Sequence, residues 1–359
     1  MKTWRNIFIL VTLVSLAACS KVENVYVPEA ISYSVGSYAN ATKATPMNGE
    51  NGQNGDNITA FRSKAWLHAG DNPGVSQLFF DESVVYDGTS EWAPAHVYYW
   101  PKHPQSYLNF VSWYDALGAP TSVDESSISW ENRTIQAGDN ILLAQKAWKQ
   151  RNNTLTYYRS GVPTLFRHLL AQVEFKAQAL AASETVGSVT TTWNIAISNF
   201  TVSGVHNEGS ITLTNDTEPT VQSGSPVISE WAITTSGTTT SGWSASSATV
   251  SLSGTDQVLT TSPVPVLARR SVLPQPVSGI SVSFDYSIIT TSTNGTDTHV
   301  LTETQTVSDL QLSSFTGYTG DWEANKRVTY TITVNGKTGA ISIVPTLTTT
   351  DSTLILNVE

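Results

Sequence analysis

Ile31-Ser32-Tyr33-Ser34-Val35-Gly36 decides the fold class of this chain. Large apolar side chains alternate with small ones, the period-two pattern of a strand with one buried face. The same alternation recurs along the sequence. It predicts strands at Ala60–His68, Leu78–Tyr86, His96–Trp100, Tyr107–Trp113 and Gln172–Ala177. Later strands are predicted at Trp193–Val202, Ile211–Thr214, Thr249–Leu252, Ile280–Ile289, Val300–Val307 and Val328–Val334. Turn signals separate them, as at Asp87-Gly88, Trp100-Pro101 and the stretch from Gly118 to Ser122. Only Ile141–Lys149 and Pro163–Leu170 read as short helices. Many short strands with few helices point to sandwiches or barrels. The expectation is an all-β chain of two β-sandwich domains.

Upstream of the first strand the sequence changes character. Lys2 and Arg5 precede an apolar run from Ile7 to Leu16, which ends in Leu16-Ala17-Ala18-Cys19. That order is a secretory signal with a small-residue processing site. The run is shorter than the ~20 apolar residues a membrane-spanning helix needs. Cys19, the only cysteine, stands at the cut site as in bacterial lipoproteins, whose thiol receives a diacylglyceryl group. The alternative is an ordinary cleaved signal with a chance cysteine. The favoured reading makes 1–18 the signal peptide and 19–30 a lipidated tether.

Loss of residues 1–18 removes Lys2 and Arg5, so 17 basic residues face 29 acidic ones and the formal charge moves from −10 to −12. An acidic chain argues against nucleic acid and anionic headgroups as electrostatic partners. A lone cysteine excludes an intrachain disulfide. The mature length exceeds a comfortable single core. The small-residue run around Ala179–Ser188 suggests a boundary between domains at 31–182 and 183–359.

Two stretches invite special readings. Asn48-Gly49, Asn51-Gly52 and Asn54-Gly55 repeat a turn-forming pair, so a flexible loop is expected. The acidic spacing of a calcium-binding EF-hand loop is absent there. Ser and Thr supply 17 of the 32 residues from Trp231 to Ser262, a composition compatible with a disordered, glycosylated stalk. Interleaved Trp231, Ile233, Trp243, Val250, Leu252 and Val258 favour strands with long loops.

No catalytic constellation is legible, and no cofactor or metal is implied. There is no Gly-x-Ser-x-Gly elbow, His-Glu-x-x-His pair, phosphate loop or dinucleotide fingerprint. The six histidines are scattered singly. His168, among apolar neighbours, reads as a core-edge histidine donating to a backbone carbonyl rather than as a base. Adjacent Asp124 and Glu125 point apart, with no partner in view. The aromatics from Trp92 to Tyr114, namely Trp92, Tyr98, Tyr99, Trp100, Tyr107, Phe110, Trp113 and Tyr114, could form a sugar-stacking platform on host or bacterial surface glycans. Alternation on a strand sends one ring of each neighbouring pair to the core, and core packing is the stronger reading.

At these residues the chain resembles the fimbrillin family of Gram-negative gut and oral anaerobes. The run Val97-Tyr98-Tyr99-Trp100-Pro101 and then Leu108-Asn109-Phe110-Val111-Ser112-Trp113 are similar to it. So are Asp139-Asn140-Ile141-Leu142-Leu143-Ala144, the segment from Phe166 to Phe175, and the segment from Trp322 to Val334. The resemblance implies two transthyretin-like β-sandwich domains, export as a lipoprotein to the outer membrane and cell surface, and assembly with other fimbrial subunits. It also implies that a protease of trypsin-like preference removes the first strand and that a strand from the next subunit fills the groove.

Carried onto this sequence, Ile31–Ala39 is the removable strand and Asn40–Asn57 the exposed loop behind it. Lys43 is the only basic residue in that loop. Arg62 suits an arginine-specific protease better, although it lies where a strand is expected, and it is slightly preferred. Candidate donor residues are Ile341 and Ile343, then Leu354, Leu356 and Val358, with Pro345 between them marking a bend. Alternatively, both segments complete their own domain, and the protein is a tip or accessory subunit.

Overall fold

The computed structural model describes residues 28–37, 40–41, 47–48, 57–88, 91–103, 105–150, 161–217, 227–233, 242–315 and 320–349. Among these the chain is all β, with one short 3-10 turn at Leu312–Ser314. The expected strands largely form, and Ala60–His68 has the boundaries read from its alternation.

Two expectations about helices are corrected. Ile141–Ala144 and Lys146–Gln150 are strands, and so is Val162–His168. Their side chains are buried on both faces, so the two-residue period disappears from the sequence. His96–Trp100 is also corrected. It makes only a single bridge, Tyr99 to Ala30, because its backbone bonds to the segment entering the first strand and Pro101 follows. The bend expected at Pro345 is absent, since strand Ile341–Thr349 runs straight through it. That strand ends its sheet, and an edge position tolerates a residue without an N–H.

The N-terminal part is built on a ten-stranded sheet. Strand Ile141–Ala144 pairs with Val162–His168 on one side and with Tyr107–Asp115 on the other. Those two are also linked the long way round, through Tyr33–Ser37, Trp92–Pro94, Ser76–Tyr86 and Ala60–His68. The sheet therefore closes into a ring, and rings of strands bury an interior without leaving edges there. Phe61, Phe80, Trp92, Leu108, Phe110, Val162 and Phe166 fill that interior.

A second core lies on the opposite face of strand Tyr107–Asp115. Val111 and Trp113 meet Ile128, Trp130, Ile211, Leu213 and Trp243 of a five-stranded sheet. That sheet joins Ser127–Thr134 to Glu208–Thr214, so it draws on residues from both sides of position 182. The third core sits between a four-stranded and a six-stranded sheet formed by residues 171–349. Phe175 stacks on Tyr330 there, ring centroids 4.6 Å apart.

Candidate functional site

Strand Tyr33–Ser37 is one stave of the closed ring. It runs parallel to Val162–His168, with Tyr33 opposite Val162 and Ser37 opposite Phe166, and antiparallel to Trp92–Pro94 through Tyr33 and Trp92. Its entry is paired as well, by Ile31 N–H to Tyr98 O (2.8 Å) and Trp100 N–H to Glu29 O (3.0 Å). The alternating residues Ile31, Tyr33 and Val35 are 2, 2 and 3% exposed.

The slot around Tyr33 is specific in shape and polarity. The ring meets Phe61 and Phe110 edge-on at 5.6 and 5.8 Å. The hydroxyl donates to Ser63 Oγ (2.9 Å), which is in turn 2.8 Å from Ser112 Oγ. Burial raises the Tyr33 pKa well above the usual phenol range, so the hydroxyl remains a donor. Gly161 closes one wall. A Cβ at that position would lie 2.6 Å from Ser34 N, so only glycine admits this approach.

Lys43, behind this strand, lies outside the described residues. Arg62 sits mid-strand in Ala60–His68, opposite Ser83 on one neighbour and Trp113 on the other. Its exposed guanidinium pairs with Asp81 and lines an open cleft of about 490 Å³. At the other end of the chain, Ile341 pairs with Val334 and Ile343 with Ile332. Ile343 is buried in the third core and Ile341 packs against it. Cys19, Leu354, Leu356 and Val358 lie outside the described residues. So do 49–56 of the Asn-Gly stretch, whose ends Asn48 and Asn57 are paired.

The aromatic platform does not form. Trp92, Trp100, Tyr107, Phe110 and Trp113 are buried, and of the eight rings Tyr99 alone is exposed. Strand Tyr107–Asp115 is covered on both faces, which places Phe110 and Trp113 in two different cores.

His168 is buried with Nδ1 donating to Asn140 Oδ1 (2.8 Å), a side-chain amide where a backbone carbonyl was expected. Burial, aided by the Arg327 charge, lowers its pKa to about 3. It stays neutral at physiological pH. Two polar clusters escaped the sequence. His68 bonds Pro73 O (2.7 Å) and Glu125, and Asn109 reaches the same carboxylate. Desolvation pushes Glu125 up, but bonds from His68, Ser76 and Asn109 outweigh it and hold its pKa at about 2. Arg133 bridges Asp115 (2.9 Å) and Asp139 (2.6 Å), both carboxylates fully buried. Partners 57 and 18 residues apart leave no local signal. Both clusters pin loops to strand ends. Among the described residues no group of three or more His, Cys, Asp or Glu is placed to hold a metal ion.

A family model described as fimbrillin-like matches residues 42–353. No functionally curated protein matches the chain. Among solved structures, the chain is similar to a fimbrial protein from Bacteroides vulgatus ATCC 8482, with 14% identity, 89% of this chain and 99% of that one covered, and a TM-score of 0.48. It is also similar to a fimbrial assembly protein from Parabacteroides distasonis ATCC 8503, with 8% identity, 90% and 99% covered, and a TM-score of 0.36.

Proposed function

The chain belongs to the fimbrillin-like family, and we propose that it is exported as a lipoprotein, trimmed of its first strand and joined to the next subunit by a donated strand. As a member of that family it is a structural, adhesive subunit of a cell-surface fimbrium. Assembly partners are other fimbrial subunits.

The observation that carries the assembly step is the place of strand Tyr33–Ser37 as a stave of a closed ring. Full burial of one large apolar side chain contributes about 1.5–3 kcal/mol. Ile31, Tyr33 and Val35 together therefore supply roughly 5–9 kcal/mol as an upper estimate, which is comparable with a domain's whole stability. An emptied slot exposes apolar walls and two unpaired backbone edges. Such a groove favours an incoming extended segment.

The donor is assigned to the C-terminal end. Leu354, Leu356 and Val358 repeat the spacing of Ile31, Tyr33 and Val35, so three side chains meet three pockets. Ile341 and Ile343 are already engaged in their own sheet, which leaves the last ten residues as the donated part. For trimming, Lys43 is supported over Arg62. Cleavage needs an extended, accessible backbone, whereas Arg62 is paired on both sides. Cys19 lies ahead of either site, so its lipid leaves with the strand. A two-domain organisation is part of this proposal, with strand Ala171–Ala179 joining the second domain through its pairing with Lys326–Val334, as is a non-enzymatic role.

N-terminal sequencing and mass spectrometry of cell-surface material test it. A start just after Lys43 is expected. A start at Cys19 in polymerised material contradicts strand removal.

A further inference from the structure

The six-stranded sheet of the C-terminal part extends beyond its core. Strands Ser183–Val186, Val189–Val205, Ser281–Asn294 and Asp297–Gln311 lie side by side. Ile195, Ile197, Tyr286 and Ile288 face the third core, so the intervening residues form the outer face. The pairing registers align Thr185, Thr190, Thr293 and Thr298 across all four strands of that face. Thr302 and Thr304 continue the pattern along the last strand, opposite Ile289 and Ser287. The hydroxyls of Thr185 and Thr190 are 3.1 Å apart across their strands.

This face carries hydroxyls, a few aliphatic side chains and the amide of Asn194, and no charge until Asp285. The reverse side of the same ribbon differs. It bears Glu184, Asp297 and Glu303, and it is partly covered, since Lys337 pairs with Glu184 (2.9 Å) and Trp193 packs against Gly336. In a chain with 29 acidic and 19 basic residues, two copies repel over most of their surfaces. A neutral, hydroxyl-rich face is where they can meet.

We propose that this threonine-rich face is a lateral contact between copies of the chain in neighbouring fimbriae. The inference rests on the polymer reading above. Four strands ~4.8 Å apart and about ten residues at ~3.4 Å each give a face of roughly 600 Å². A standard interface takes about 800 Å² per partner, so one contact is weak alone. Repetition along two filaments makes weak contacts additive. Strand Asp297–Gln311 ends this sheet, and Asp297, Glu303 and Asp309 along it disfavour direct edge-to-edge pairing, which leaves the face as the contact.

The test compares Thr302→Glu with Gln305→Glu. These exposed residues lie on one strand and opposite faces, so each variant adds the same charge and spares the fold. Bundles of trimmed filaments are counted by electron microscopy and low-speed sedimentation. Thr302→Glu is expected to reduce bundling at least fivefold, and Gln305→Glu to leave it within twofold. Added salt should increase wild-type bundling, because it screens the repulsion between acidic chains. Equal effects of the two variants, or bundling that falls with salt, overturn the proposal. If trimmed protein forms no filaments, the polymer reading fails. The same pair is then compared by sedimentation velocity of concentrated untrimmed protein, and identical self-association overturns the lateral contact. Retention of a polysaccharide that depends on Thr302, without self-association, also overturns it.

Discussion

The first and last described strands share an alternating pattern and are held in opposite ways. Tyr33–Ser37 lies between two neighbours inside a ring, with Tyr33, Val35 and the preceding Ile31 almost fully buried. Ile341–Thr349 pairs with Lys326–Val334 alone and ends its sheet, leaving Val344 exposed. The difference teaches that sequence alternation tells which side chains are buried, while topology tells what the loss of the strand opens. Removal of an edge strand thins a sheet. Removal of a stave opens a core.

The largest effect should come from deleting residues 28–41. With roughly 5–9 kcal/mol of burial lost, the expected product is unfolded or self-associated at neutral pH, read by circular dichroism and light scattering. A folded, monomeric product would break the comparison. A synthetic peptide of residues 350–359 should restore folding if the slot accepts that segment.

Single substitutions sharpen the contrast. Tyr33→Ala should cost about 3–5 kcal/mol in denaturant unfolding, because a cavity opens between Phe61 and Phe110 and Ser63 loses its donor. Ile343→Ala should cost about 2 kcal/mol, near the low end for such truncations, because the edge can relax. Equal costs would mean that the ring confers no special hold.

Acid should loosen the wall of the slot. His168 ends the strand that flanks Tyr33–Ser37. Its folded pKa of about 3 lies below the ordinary 6.5, so the unfolded chain takes up the proton first. Its contribution is complete above pH 6.5 and is lost as pH falls toward 3. Glu125 adds a second loss between about pH 4.5 and 2, where the unfolded chain takes up a proton while the native carboxylate stays ionised. His168→Asn should flatten the upper window and Glu125→Gln the lower one, read from unfolding midpoints across pH. An unchanged slope in His168→Asn would contradict the assignment. The smallest effect is expected at Pro345→Thr, within about 0.5 kcal/mol, since edge pairing already accommodates proline.

Much of this fold was legible wherever one face of a strand is wet. Ala60–His68 alternates cleanly and was delimited from the sequence. Ile141–Lys149 and Pro163–Leu170 read as helical because the strands there are dry on both faces, which erases the period. The aromatic run failed as a platform for the same reason, since strand Tyr107–Asp115 has a core on each side. At the site, the three inward residues Ile31, Tyr33 and Val35 were readable. Ring closure was not, because it depends on pairing between Tyr107–Asp115 and Ile141–Ala144, segments that carry no mutual signal. The tight approach of Gly161 and the Ser63–Ser112 hydrogen bond were hidden likewise.

The central claim is that the emptied slot takes the C-terminal end of the next subunit. The most direct measurement compares protease-trimmed full-length protein with a chain ending at Thr349, both run unboiled on denaturing gels. The account predicts a ladder of polymers from the full chain and a single band from the shortened one, which keeps strand Ile341–Thr349 and its own fold. Identical ladders from both would contradict it.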